Sequence, residues 1–276
     1  MTSEDRQIIQ ESVAPASAPS ASPPGAHLSL LIVEDNPDVV RYLQSVLAGS
    51  YRIDVAVNGR LGIEKAIETV PDVVISDVMM PEADGYELCE TLKKDERTSH
   101  IPIILLTAKA DTASRIEGLE CGADAYLAKP FDPDELLVRL RKLVELRKRL
   151  QERYRNAAVL PAPSEAREFQ IEDDFMKKVR EAFEAHLDDE TYGIHDLCKA
   201  LGMSRAQLYR KFQALTDQPV TQYFRSLRLH RAKTLLLTTS LHISEIAYEV
   251  GFKEPAHFTR AFSEEFGVSP REWRKG

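Results

Sequence analysis

Five side chains in the first half of the sequence stand out by type and position: Glu34, Asp35, Asp77, Thr107 and Lys129. Three are carboxylates, and gathered together they make a hard oxygen site suited to Mg²⁺, which takes carboxylate, water and phosphate oxygens in octahedral geometry. A metal there offsets the repulsion between a carboxylate nucleophile and an anionic phosphoryl group. A hydroxyl and an ammonium on the same rim supply partners for the phosphoryl oxygens. Taken singly, each residue has a plainer explanation, because an Asp after a strand commonly caps the next helix and a Lys before Pro is commonly solvated.

The elements around these residues decide between the two explanations. Short apolar runs at residues 28–33, 51–57, 72–76, 101–106 and 124–128 read as strands, with helices starting near Pro37, Gly59, Gly85, Asp111 and Pro133. This alternation predicts an α/β doubly wound, five-stranded parallel sheet covered on both faces, in which ligands bind beyond the carboxyl ends of the strands. Glu34 and Asp35 follow the first run, Asp77 the third, while Thr107 and Lys129 end the fourth and fifth. Five residues closing four different strands are hard to explain as caps.

Over roughly residues 28 to 145 the sequence resembles the response-regulator receiver family. The matching segments are Leu31-Ile32-Val33-Glu34-Asp35-Asn36, Ser76-Asp77-Val78-Met79-Met80-Pro81, Leu106-Thr107-Ala108 and Ala128-Lys129-Pro130. The resemblance implies that Asp77 is the phosphoacceptor and that Glu34, Asp35, Asp77 and the Met79 backbone carbonyl hold Mg²⁺. Thr107 and Lys129 would assist the transfer and sense the phosphoryl group, Tyr126 would move with Thr107, and the Lys129-Pro130 bond would be cis. The side chains of Met79 and Met80 read as packing, and His100 as exposed. A phosphatase with an aspartyl nucleophile is a competing class. Such enzymes want a second acid two residues after the nucleophile, where Met79 stands, so the chain is expected to dephosphorylate only itself, slowly, and not to be an enzyme.

A chain of 276 residues suits about two domains, and its net charge of −8 hides a division along the sequence. Leu28 to Leu140 holds 11 Lys and Arg against 21 Asp and Glu, whereas Leu201 to Lys233 holds 7 against 1. The second stretch is where phosphate contacts are expected. Residues 1–27, rich in Ala, Pro and Ser, read as a disordered tail, residues 28–148 as the receiver, 149–167 as a linker and 168–276 as a second domain. The leucines at 136, 140, 143 and 150 suggest an amphipathic helix, with a dimer seam as the alternative. Cys89, Cys121 and Cys198, odd in number and far apart in sequence, suggest buried free thiols. No apolar run is long enough to span a bilayer, and the opening segment has no signal-peptide core. A soluble, cytoplasmic chain without membrane contact is the expectation, bacterial by the resemblance.

After Phe169 the sequence reads as helical and contains an internal repeat. Ile194-His195-Asp196-Leu197-Cys198-Lys199-Ala200-Leu201-Gly202-Met203 returns as Ile243-Ser244-Glu245-Ile246-Ala247-Tyr248-Glu249-Val250-Gly251-Phe252, an offset of 49 that becomes 50 where Leu208 and Phe212 match Phe258 and Phe262. Paired helices joined at a glycine are the pattern of a helix-turn-helix, whose second helix enters the major groove of double-stranded DNA.

Residues 170 to 276 resemble the AraC/XylS type of DNA-binding domain, including Gly202-Met203-Ser204, Ala247 to Phe252 and Phe266-Gly267-Val268-Ser269-Pro270. The resemblance implies an all-α double helix-turn-helix domain, its units joined by a helix over about residues 219–237 and its recognition helices one helical turn of DNA apart. Arg205, Ala206, Gln207, Tyr209 and Arg210 fall on the first recognition helix, and Glu254, Pro255, Ala256, Thr259 and Arg260 on the second. Gln207 and Arg210 carry donors for base edges, and Lys211 and the following arginines are expected at phosphate or solvent. Phe252, Phe258, Phe262, Phe266 and Trp273 should be core, and His186, His195 and His230 show no metal-ligand spacing. Together the two resemblances imply a phosphorylation-dependent transcription regulator that dimerises when phosphorylated. A histidine kinase or phosphotransfer protein would be the phosphodonor, and RNA polymerase a further partner. The alternative is the output portion of a membrane hybrid sensor kinase.

Overall fold

The computed structural model describes residues 28–108, 121–155, 169–186 and 192–275. The expected tail, the helix near Asp111 and most of the expected linker lie outside these residues.

The first domain begins β1 (Leu28–Val33), α1 (Pro37–Leu47), β2 (Tyr51–Ala56), α2 (Gly59–Thr69), β3 (Val73–Asp77), α3 (Gly85–Lys94), β4 (Ile103–Thr107) and β5 (Ala125–Ala128). All strand pairs are parallel, in the order β2-β1-β3-β4-β5. β3 and β4 are buried along their whole length, which is why they read as continuous apolar runs. Alternate side chains feed two cores. Leu31, Val33, Val74 and Leu105 pack with Ala66 of α2 and Leu88 and Leu92 of α3. On the other face Leu30, Ile32, Ile75 and Ile104 pack with Leu43 and Leu47 of α1 and with Leu136 and Leu140. The strand order reverses between β1 and β3, opening a crevice at their carboxyl ends.

The last two of those leucines belong to α4 (Pro133–Tyr154), a helix of 22 residues that has the expected amphipathic stripe but crosses the expected domain boundary. It does not give way to a linker at residue 149. Leu136, Leu140 and Leu143 pack on the receiver, and Leu150 and Tyr154 continue into the core of the second domain. The Tyr154 hydroxyl donates to Asp173 Oδ1 at 2.6 Å and Arg153 pairs with Asp173 at 2.9 Å, so the final turn is tied to the second domain. The leucines that suggested a dimer seam are therefore spent within the chain.

The second domain contains α5 (Gln170–Glu184), α6 (Ile194–Leu201), α7 (Arg205–Thr216), α8 (Val220–Thr238), α9 (Ile243–Glu249), α10 (Pro255–Phe266) and α11 (Pro270–Trp273). Each repeat has its own core. Phe175, Leu208, Phe212 and Leu215 belong to the first, and Ile246, Phe258, Phe262 and Phe252 to the second, with Phe266 and Trp273 against its edge. α8 joins them, giving Tyr223 and Leu227 to one core and Leu229, Ala232 and Leu236 to the other. Gly202 (φ 63°) and Gly251 (φ 76°) adopt the left-handed conformation that the tight turn between paired helices requires.

Candidate functional site

The crevice between β1 and β3 collects the acidic residues. Glu34 and Asp35 leave β1, Asp77 ends β3, and one carboxylate oxygen from each lies within 4.8 Å of the others. None of them caps a helix. Asn36 caps α1 by accepting from Asp38 N at 2.9 Å, and Asp84 caps α3 by accepting from Glu87 N at 2.8 Å. The plainer explanation of these carboxylates is thereby removed. Gly85 lets the start of α3 close over β3, since a Cβ there would sit 2.3 Å from the Asp77 carbonyl oxygen.

Lys129 extends from the end of β5 across the crevice. Its Nζ lies 2.8 Å from Glu34 Oε2 and 2.9 Å from Asp77 Oδ1, so it is paired rather than merely solvated. The Val78 amide also donates to Asp77 Oδ1, at 2.9 Å. Glu34 is 2 % exposed, and burial, joined by repulsion from Asp77, raises its pKa despite the hydrogen bond from Lys129. Burial acts to lower the Lys129 pKa, but its hydrogen bonds to both carboxylates outweigh this and raise it. A cation added to the crevice would relieve the excess of acid over base.

Thr107 is buried at the end of β4 on the same rim, and the Lys129-Pro130 bond is cis, as expected. Tyr126 is half-buried, its hydroxyl 3.4 Å from Cys121 Sγ, and burial raises its pKa first of all. Cys89, distant in sequence, meets Cys121 through a 3.4 Å contact from its Sγ to the Cys121 carbonyl. The Met79 side chain is not packed: it is 68 % exposed. Met80 does pack on the core. His100 is not freely exposed either. Its Nδ1 is enclosed without a hydrogen-bond partner, and burial together with Lys211, Arg147 and Lys93 holds its pKa well below the ordinary value.

The two recognition helices meet different surroundings. On α10, Glu254, Ala256, Thr259 and Arg260 are exposed and Pro255 is half-buried. On α7, Arg205, Ala206 and Arg210 are exposed, but the helix lies along α4 and against the far end of the receiver. Gln207 closes a capping box with Ser204, its Oε1 accepting from Ser204 N at 2.9 Å while its Nε2 donates to the Ile67 carbonyl at 2.8 Å. Both polar atoms of its amide are thus engaged. Arg210 donates to the carbonyls of Glu68 and Thr69, at 3.2 and 2.6 Å.

Lys211 corrects an expectation outright, since it is fully buried rather than at phosphate or solvent. It matches Ala261 of the second repeat, which is also buried, so this helix position faces inward in both units. Its Nζ donates to the Glu96 carbonyl and to Ser99 Oγ, and lies 4.5 Å from the Phe175 ring centroid. Ser99 Oγ in turn donates to Glu172 Oε1 at 2.6 Å, and Lys178 pairs with Glu96 at 2.8 Å. Sequence reasoning missed Glu96, Ser99 and Glu172. One signal was available: Glu172 is an acid on the same helical stripe as Phe175, Met176 and Val179, and an acid on an apolar stripe calls for a buried partner.

Comparison with known proteins assigns both halves. Residues 30–141 match the family described as response regulator receiver domain, and residues 197–276 the family described as helix-turn-helix domain. Histidine kinase P4 of Formosa agariphila is 36% identical over 246 residues, covering 89% of this chain and 18% of the kinase. Response regulator Rre1 of Synechocystis is 41% identical over 119 residues, or 42% of this chain and 52% of the regulator. Among solved structures, the receiver domain of a signal transduction histidine kinase from Syntrophus aciditrophicus is 39% identical, with a TM-score of 0.42, covering 44% of this chain and 93% of that one. The chain spans about half the length of the response regulator it matches and less than a fifth of the kinase. No described helix is long and apolar enough to cross a membrane. With its carboxylate crevice in a five-stranded sheet and its paired helical repeats, the chain carries a response regulator receiver domain over residues 30–141 and an AraC-type helix-turn-helix domain over residues 197–276.

Proposed function

We propose that the chain is a phosphorylation-dependent, sequence-specific DNA-binding regulator of transcription, with Asp77 as phosphoacceptor. The observation that carries this reading is the crevice itself: three carboxylates and one ammonium at the strand ends, in the same chain as two helix-turn-helix units. Its all-oxygen donor set fits Mg²⁺, with Glu34, Asp35, Asp77 and the Met79 carbonyl as protein ligands. The metal supplies charge neutralisation to the incoming phosphoryl group. Val78 N and Lys129 hold Asp77 Oδ1, leaving Oδ2 as the nucleophile. Once phosphorylated, Lys129 and Thr107 bind phosphoryl oxygens, and Tyr126 follows Thr107. The chain draws phosphate from a histidine kinase or phosphotransfer protein and binds double-stranded DNA through α7 and α10. Dimerisation on phosphorylation is part of this reading, and an unchanged mass with phosphodonor would remove it.

A second reading is favoured by one observation. The Formosa relative aligned across both domains is a histidine kinase, of which this chain matches a small share. The chain would then be the output portion of a hybrid sensor kinase, with the same receiver and DNA-binding roles. The reading frame surrounding the gene distinguishes the two.

The test is capture of fragmented genomic DNA by the purified chain in Mg²⁺, with and without an acyl phosphate donor, alongside Asp77→Ala. Fragments enriched only with donor and lost in the variant are the expected result. Equal enrichment in every sample would leave DNA binding standing and remove phosphorylation as its control.

A further inference from the structure

The residues that hold α7 to the receiver are those that would otherwise face DNA or lie behind that face. Gln207 and Arg210, two of the side chains of α7 with donors suited to base edges, donate instead to the backbone carbonyls of Ile67, Glu68 and Thr69 at the end of α2, while Arg205 on the same helix stays exposed. Behind them Lys211 reaches the α3–β4 segment through the Glu96 carbonyl and Ser99. Glu172 and Lys178 of α5 close the contact from the second domain, onto Ser99 and Glu96. Arg210 keeps donors to spare, but while its Nη1 is held at two receiver carbonyls the helix face that carries it lies against the receiver and not in a groove. Among the described residues no receiver group hydrogen-bonds to α10, and Arg260, at the position equivalent to Arg210, is exposed.

We propose that the receiver surface formed by residues 67–69 and 95–99 is a docking site for the first recognition helix. It competes with DNA for Gln207 and Arg210 and leaves only the second recognition helix open. The inference rests on α7 and α10 being DNA readers. In the docked state the chain engages one major-groove segment through α10, and the two-segment footprint requires release of α7. Geometry supplies a route for that release. The docking surface lies at the opposite end of the sheet from the Asp77 crevice, but α4 starts four residues after Lys129, packs on the receiver through Leu136 and Leu140, and ends at Tyr154 in the core that carries α7. A displacement at the crevice rim therefore reaches the docked helix through a continuous rod.

The experiment uses the full chain without phosphodonor, comparing wild type with Glu96→Lys, which reverses the Lys178 pair at an accessible position, and with Lys211→Met, which keeps the stem and removes the buried donor. Binding is measured to DNA fragments previously enriched by the donor-treated wild type, and the footprint is mapped. Both variants are expected to bind on the order of tenfold tighter than wild type, with the footprint lengthened from one groove segment to two, because undocking raises the competent fraction. Addition of donor should bring wild type to the same level. Glu96→Lys controls for any folding defect of Lys211→Met. Equal affinities and equal footprints for wild type and both variants would overturn the docking proposal while the DNA-binding reading stands. Weaker binding by Lys211→Met with Glu96→Lys unchanged would mean that Lys211 contacts DNA, and would also overturn it. If no form of the protein enriches any fragment, the DNA-binding reading itself falls, and the competition with it.

Discussion

The two helix-turn-helix units repeat one pattern and differ chiefly in what lies outside it. Their inward positions correspond, with Leu208 and Phe212 buried in one as Phe258 and Phe262 are in the other. Their turns use a left-handed glycine in each case. The contrast begins one layer out. Lys211 stands where the second unit has the buried Ala261, and a long cation at an inward position must find acceptors beyond its own unit. It finds them on the receiver. A repeat therefore preserves what a unit needs to fold, while a single substitution on its inner edge ties one copy to a neighbour and leaves the other free.

The largest effect that sharpens this contrast comes from emptying the two cores. Phe212→Ala and Phe258→Ala each remove a fully buried ring, at a cost of about 3–5 kcal/mol. The consequences should differ. Among the described residues Phe258 shares its cluster with residues of α8 to α11 and their connections, whereas Phe212 shares its own with Leu150 and Tyr154 of α4. Hydrogen exchange should show Phe258→Ala loosening the second unit alone, and Phe212→Ala loosening the first unit together with the end of α4. Loosening confined to the mutated unit in both cases would break the claim that α4 couples receiver to first unit.

Next in size is the pair of matching arginines. In the chain without phosphodonor, Arg260→Ala should weaken DNA binding by about 1–3 kcal/mol, the worth of a good base contact. Arg210→Ala should cost little there, because Arg210 is already engaged by the receiver. With donor present the two losses should converge. Anisotropy titrations of a labelled operator fragment give all four values, and equal losses without donor would contradict the asymmetry.

How much of this was legible beforehand follows from the kind of contact involved. The crevice was readable because Glu34, Asp35, Asp77, Thr107 and Lys129 all lie at strand ends, and a parallel sheet brings strand ends together wherever its strands sit in the order. The repeat was readable because Gly202 and Gly251 mark the same turn. The docking surface was not. Its acceptors are the carbonyls of Ile67, Glu68, Thr69 and Glu96, and a backbone carbonyl carries no residue type to read. The leucine spacing carried α4 through Leu150, but not what its end packs on: the partner that makes Leu150 and Tyr154 core includes Asp173 and its helix, nineteen residues further on. His100 and Met79 were misplaced because each lies in a connection whose path is set by tertiary contacts rather than by periodicity.

The smallest of the expected effects concerns protons at the docked interface. Lys211 is held there by the receiver, and its pKa is pushed down to about 8, first by burial, with Glu172, Glu96 and Asp95 drawing it back up and Lys178 pushing it down. If undocking returns Lys211 to water, its pKa there is the ordinary 10.5. Between these values the undocked state binds more protons than the docked one, so docking strengthens as pH rises from about 8 towards 10.5 and is indifferent to this group below that window. From pH 8 to pH 9 the open fraction should fall about fivefold. DNA binding by the chain without phosphodonor should weaken across that unit through loss of α7, and Lys211→Met should remove that part of the dependence while Arg260→Ala should not. The same pH slope in wild type and Lys211→Met would show that Lys211 stays buried when α7 engages DNA, and would place the docking contact at Gln207 and Arg210 alone.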